Sequence, residues 1–360
     1  MSDKKHYLNL NRPTVQNNFL WFYGVVMMTT LVLSGMAIGM LRSPQSAKIE
    51  NENEKVELTA NWQNLKTQSL IGHSSGIWSV ALNSESPILA SASQDATIRL
   101  WNWQTGEHIR TLKGHDQAVL AVVFSPDGRI LASSGQDATI KLWDWQTGEL
   151  IGTLEGHTKP IRSFAFSSDG QTLVSSSWDK TVKVWNWQTG DLLRTLEGHS
   201  AGVFAVAISP DGQMLASVSK DRTIKLWHVQ TGELIRTLEG HTDSVRTVAF
   251  SPDGRQLATG SNDRTIKLWN PETGELMRTF EGHIDLVNAV AFSADSQMLI
   301  SASQDRTIKL WDANGGELLH TFSNHSAAVN SIAFDANAKI IASGSWDKTA
   351  RVWQPMLDKF

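Results

Sequence analysis

From residue 67 onward, apolar and polar positions alternate in short blocks that return at a fixed interval. The stretch 240–269, GHTDSVRTVAFSPDGRQLATGSNDRTIKLW, displays one unit. A Gly-His pair opens it, and an apolar run (245–250), a turn (Ser251-Pro252-Asp253-Gly254) and a second run (256–261) follow. An Asp-Arg pair then leads into a third run ending at Trp269. Short runs rich in Val, Ile, Thr and Phe, bounded by turn residues, predict strands. In the second unit the runs are 119–124, 129–134, 139–143 and 150–154. Pro126 and Gly128 suit the second and fourth positions of a type I turn, and Gly148 is free to take positive φ. Each unit thus predicts a four-stranded antiparallel sheet that is apolar on both faces. Such a sheet buries both faces only by stacking on neighbours.

The interval is 42 residues. The histidines of the opening pair are His73, His115, His157, His199, His241, His283 and His325. The aspartates ahead of the third strand are Asp95, Asp137, Asp179, Asp221, Asp263, Asp305 and Asp347, and the closing tryptophans run from Trp101 to Trp353 in the same steps. Three residue types in lockstep over seven cycles define the architecture. The seventh unit stops seven residues after Trp353 and lacks a fourth strand. Residues 66–71 align with the fourth strand of the other units, so they are expected to supply the missing outer strand and close a ring.

A Gly-His near one end, an Asp-containing turn and a closing Trp at this period resemble the WD40 repeat family, over residues 67–360. The resemblance implies an all-β fold: a seven-bladed WD40 β-propeller with four antiparallel strands per blade and the ring closed by an N-terminal strand. It further implies a hydrogen-bonded chain of His, Ser or Thr, Asp and Trp within each blade. Four residues before the Asp stand Ser91, Ser133, Ser175, Ser217, Thr259, Ser301 and Ser343, a hydroxyl each time, whereas two before it the second unit has Gly135. The first series is therefore assigned to the chain. Seven equivalent Ser-His-Asp sets read as structure and not as a catalytic triad.

Function is expected where the copies differ. Trp178 and Trp346 precede their turn Asp where other blades have Gln94, Gln136, Lys220, Asn262 and Gln304. Five residues after each His the series is Trp78, Leu120, Arg162, Phe204, Arg246, Asn288 and Asn330. Both series resemble the positions ringing the wide mouth of WD40 propellers, where peptides and partner proteins dock. The expected partner-binding set is therefore Trp78, Leu120, Arg162, Trp178, Phe204, Arg246 and Trp346, since aromatics with Arg are the usual anchors of protein interfaces.

The N-terminal part reads differently. Residues 1–18 are a polar tail, and 19–41 form 23 residues without a charge, long enough for a single transmembrane helix acting as a signal anchor. Residues 42–61 are a polar linker, and 62–360 form the propeller domain. This pattern leads to the expectation of a single-pass membrane location with the propeller extracytoplasmic, although Lys and Arg flank the span equally. Cleavage near Ala37, giving a secreted propeller, is the alternative. Gly35 and Gly39 form a GxxxG pair suited to pairing two helices as a homodimer.

Charge and composition narrow the chemistry. Residues 62–360 carry 26 cationic and 31 anionic side chains, a net of −5, which argues against nucleic acid as a partner. The chain has no cysteine, so disulfides, thiolate metal sites and a cysteine nucleophile are excluded. No phosphate loop, HExxH or GxSxG occurs, and no histidines outside the frame pair at metal-ligand spacing. The reading is a membrane-anchored scaffold or adaptor for protein–protein interaction through the ring face, not an enzyme, with no cofactor and no metal. The alternative is a propeller enzyme or small-ligand sensor using the central channel.

Overall fold

Each 42-residue unit folds into the sheet that its alternation predicts. The computed structural model describes residues 62, 65–335 and 340–355. β1 (Leu65–Ile71) stands ahead of the first complete blade: β2 (Ile77–Leu82), β3 (Ile88–Ser93), β4 (Thr97–Asn102) and β5 (His108–Lys113), hydrogen-bonded in that order. In the second blade the strands are Val119–Phe124, Ile130–Gly135, Ile140–Asp144 and Glu149–Leu154, within a residue of the predicted runs. The described residues form seven such four-stranded sheets, all pairs antiparallel. Gly128 and Gly148 have positive φ, as their turns require, and Gly128 N–H closes its turn on the Ser125 carbonyl at 2.8 Å.

The first strand of every blade touches its counterparts in both neighbours, so the seven innermost strands line the axis of a closed ring. Between blades lies a layered apolar core. Ile98, Leu100 and Leu112 of the first blade pack with Val119, Val122, Leu131 and Trp143 of the second. The closing joint is built the same way: β1 pairs with Thr349–Pro355, from Leu65 opposite Pro355 to Ile71 opposite Thr349. Leu70, Ile77 and Trp101 share a core with Ile340, Ala342 and Val352. Trp62 extends that joint, packing its buried ring edge-on against Phe322 at 6.0 Å.

The turn between second and third strands carries a feature that no glycine announces. The residue after each turn Asp (Ala96, Ala138, Lys180, Arg222, Arg264, Arg306 and Lys348) has φ between 62° and 77°. A left-handed conformation costs a residue with a Cβ about 1–2 kcal/mol. Here the Asp side chain holds the turn, accepting from the backbone N–H two residues on at 2.9–3.1 Å.

The expected membrane location requires correction. No helix among the described residues is long and apolar enough to cross a membrane. The apolar segment 19–41, the Gly35–Gly39 pair and the cleavage position near Ala37 lie outside the described residues.

Candidate interaction face at the mouth of the ring

The repeated polar residues form one donor–acceptor chain per blade. The Trp Nε1–H donates to the Ser or Thr hydroxyl at 2.8–2.9 Å. That oxygen lies 2.8 Å from His Nε2 in all seven blades. His Nδ1 lies 2.6–2.9 Å from Asp Oδ2. With a neutral ring protonated on Nδ1, every polar atom along the chain is satisfied: hydroxyl to Nε2, Nδ1–H to carboxylate. The hydroxyl series assigned from sequence is the one used. The residue two before the Asp does a separate task; Ser93, for example, accepts the Asp95 N–H at 3.1 Å and donates to the Gly76 carbonyl at 3.0 Å.

Sequence reasoning missed one member. The threonine two after each Asp (Thr97, Thr139, Thr181, Thr223, Thr265, Thr307 and Thr349) donates its hydroxyl to Asp Oδ1 at 2.6–2.9 Å. Its 42-residue recurrence was the available signal. The histidines keep only 5–7% of their surface and both ring nitrogens are engaged, so no substrate has access to a nucleophilic Ser–His pair.

These contacts set the pH response. Burial raises the Asp95 pKa, but the Thr97 hydroxyl, His73 and the Ser74 N–H outweigh it and hold the carboxyl at about 2, against an ordinary 3.8. The other six turn aspartates are lowered as well, with burial again opposed by His and Thr. Folded carboxyls with depressed values stabilise above the ordinary pKa, and that stability is lost as pH falls through the folded value. Burial lowers His73 from 6.5, so proton uptake by the unfolded chain adds a shallower loss below that point. The expected urea midpoint changes little from pH 8 to about pH 6 and falls steeply below about pH 4. Asp221→Asn is expected to lower the midpoint at pH 7 and to lose part of that effect by pH 3, the rest going only as pH falls further toward the folded value. An equal effect at both values would contradict the assignment.

The mouth of the ring is built by a backbone irregularity. In every blade the register between first and second strands slips at one residue, and that residue is the ring position: Trp78, Leu120, Arg162, Phe204, Arg246, Asn288 or Asn330. A bulge inserts an unpaired residue and re-aims its side chain, which frees this position to vary while the ladder continues. Several of these side chains then meet across blades. Trp78 stacks edge-on with Trp346 of the seventh blade, centroids 4.9 Å apart, and donates its Nε1–H to Gln94 at 2.8 Å. The Arg162 guanidinium reaches from the third blade to lie 4.7 Å from the Trp78 ring centroid. Trp178 meets Phe204 edge-on at 6.5 Å, and Arg246 lies 5.5 Å over Phe204. Both distances fall within cation–π range.

Six of the seven expected residues meet in these two clusters, Trp78 with Arg162 and Trp346, and Trp178 with Phe204 and Arg246. Leu120 is buried, keeping only 5% of its surface. The amide side is also committed: Asn288 Nδ2 donates to the Val329 carbonyl at 3.1 Å and Asn330 Nδ2 to that of Ile77 at 2.8 Å. Trp178 and Trp346 remain 47% and 36% exposed. Each rests on a glycine of the following blade. A Cβ on Gly202 would come 3.2 Å from Trp178 Cα, and one on Gly76 would come 2.1 Å from the Trp346 ring. In the other five blades that position is Ala118, Pro160, Ser244, Leu286 or Ala328. Glycine therefore occurs there only where a Trp needs a seat.

Electrostatically the mouth holds two guanidiniums close enough to act on one another. Burial, and then the charge of Arg246, push the Arg162 pKa down to about 10. Burial lowers Arg246 too, opposed by Asp243 and Asp285. The Arg246 Nε–H donates to Asn262 Oδ1.

Known proteins place this geometry. The profile of the WD domain, G-beta repeat, matches residues 64–102, 106–144 and 148–186, and that of the WDR3 first beta-propeller domain matches residues 181–355. The chain belongs to the WD40 repeat family. Among curated relatives of this WD40 protein, Nuclear distribution protein PAC1 of Coprinopsis cinerea is 49% identical over 43 residues, which is 12% of this chain and 10% of the relative. Nuclear distribution protein nudF of Emericella nidulans is 36% identical over 73 residues, 20% of this chain and 15% of the relative. Eukaryotic translation initiation factor 3 subunit I of Aspergillus niger is 44% identical over 52 residues, 14% and 15% respectively. The matched stretches thus span only 10–15% of these relatives.

Proposed function

We propose that this propeller is a non-catalytic interaction scaffold that captures a protein or peptide partner on its ring face, through Trp78, Arg162, Trp178, Phe204, Arg246 and Trp346. The seating of Trp178 and Trp346 carries this reading. Two large rings are held partly exposed, on opposite arcs of one mouth, over glycines that leave them room. A purely structural Trp would be covered, as Trp269 is. Exposed aromatics beside Arg supply contact area at low conformational cost, and such residues dominate binding energy at interfaces. The relatives support the class of activity: nuclear distribution proteins and a translation initiation factor subunit are named by the process or assembly they belong to.

The test is the double variant Trp178→Ala with Trp346→Ala, made in the full chain. Partners are identified by crosslinking and affinity purification from the native cell with the unaltered protein, and recovery is then compared. The expected result is an unfolding midpoint close to that of the parent, because both rings are surface groups, with recovery of at least one specific partner reduced about 10-fold or more. Undiminished recovery of every partner would overturn the site.

A further inference from the structure

We propose that Arg162 and Arg246 form the receptor for a carboxylate: the ring face takes an acidic peptide segment, and one Asp or Glu side chain enters the mouth between the two guanidiniums. The proposal rests on the ring-face reading above and names the chemistry of its partner.

The geometry of Arg162 leads to it. Its guanidinium carbon lies 4.7 Å from the Trp78 ring centroid, a contact that gives its N–H donors no oxygen to bond. Among the described residues no carboxylate lies within ion-pairing distance of Arg162, and its Nε–H, shut off from solvent, has no protein acceptor. A guanidinium with an unpaired Nε–H and no carboxylate partner suits the fork of a carboxylate, which accepts two parallel N–H bonds. Arg246 adds a second cation in the same mouth, held by Phe204 and Asn262. Two like charges in a half-dry space repel, and an anion between them relieves both the repulsion and the lost hydration.

The surroundings of each guanidinium decide which anion. Asp243 and Asp285 act on Arg246, whereas Arg162 feels the charge of Arg246 and no carboxylate. A single cation without an acidic neighbour suits a carboxylate; a phosphate dianion would bring a second negative charge close to Asp243 and Asp285. Trp178 and Trp346 flank the mouth, which favours apolar residues on either side of the acidic one.

The experiment uses the full chain and a random dodecapeptide library displayed on phage. Selected sequences are expected to be enriched in Asp or Glu between apolar residues. A selected peptide should lose about 10-fold or more in affinity when its acid is changed to the amide, and similarly when Arg162→Gln is made in the protein. Arg162→Lys keeps the charge without the fork and should fall between. Each variant is checked by its thermal midpoint; if Arg162→Gln does not fold, Arg246→Gln and the peptide amide series give the same reading. Acid enrichment that survives both Arg variants overturns the proposal, as does selection of Lys- or Arg-rich peptides, which would mean that the Trp78–Trp346 pair takes a cation and Arg162 merely fills its place. Tighter binding of a phosphoserine version of the selected peptide would overturn the choice of carboxylate. Selected peptides without acid enrichment that still need Trp178 and Trp346 would remove this inference and leave the scaffold reading intact. Binding indifferent to the two tryptophans, or no selection at all, would remove both.

Discussion

Trp269→Ala is expected to destabilise the protein by roughly 3–5 kcal/mol, a far larger effect than any single ring-face substitution. The Trp269 ring is buried in the layer between the fourth and fifth blades, against Ile224, Leu226, Leu238, Val245 and Leu257. Its removal leaves a cavity between two rigid sheets, which cannot collapse without tilting the blades. The substitution also takes the Nε1–H from Thr259 and so breaks the polar chain that runs through His241 to Asp263. Stability in a repeat array is approximately a sum of unit and neighbour terms, so the damage should fall mostly on this one joint. Urea unfolding should show a large drop in midpoint for Trp269→Ala and little change for Trp178→Ala. Hydrogen exchange should accelerate chiefly in residues of the fourth and fifth blades. A loss of less than about 1 kcal/mol would contradict the view that this tryptophan wedges two blades together.

The contrast between Trp269 and Trp178 also marks what the sequence made legible. The frame residues repeat because every blade solves the same packing problem, so the 42-residue step exposed the strands, the polar chain and the closing strand to within a residue or so. The mouth does not repeat, and there the sequence identified positions without their surroundings. Leu120 stands in one series with Trp78 and Arg162, and nothing local says that it is buried while Arg162 reaches Trp78 from two blades away. Asn288 and Asn330 complete the ring series in sequence, and only the structure shows both tied to carbonyls of the next blade. The left-handed Arg222, Arg264 and Arg306 carry no trace in residue type, since the strain is offset by the preceding Asp side chain. Gly76 and Gly202 were legible in principle. Each stands 24 positions beyond an unusual Trp once the ring is treated as closed, and only the closed ring makes Gly76 the neighbour of Trp346.

Closure itself yields the last expectation. A chain beginning at residue 72 should no longer form a stable monomer. Without β1 the strand Thr349–Pro355 loses its outer partner along a seven-residue ladder, and the core between the first and seventh blades loses Leu70. Truncating one buried Leu costs about 2–5 kcal/mol, and the exposed edge is a template for pairing with another chain. The shortened protein should elute as oligomers or aggregate, and urea should unfold it at a clearly lower concentration. Leu70→Asp in the full chain should push in the same direction by placing a carboxylate in that core. The decisive control moves the strand: residues 62–71 are appended by a short linker after Phe360 in the shortened chain. The transplanted strand would then form a local hairpin with Thr349–Pro355 instead of pairing across the whole chain. Stability and the monomeric state should return, and folding should be faster, because the closing contact no longer bears the entropy of a loop that spans the ring. A stable monomer from the chain beginning at residue 72, or failure of the transplanted strand to restore one, would mean that the blades are held in a ring by something other than this shared sheet.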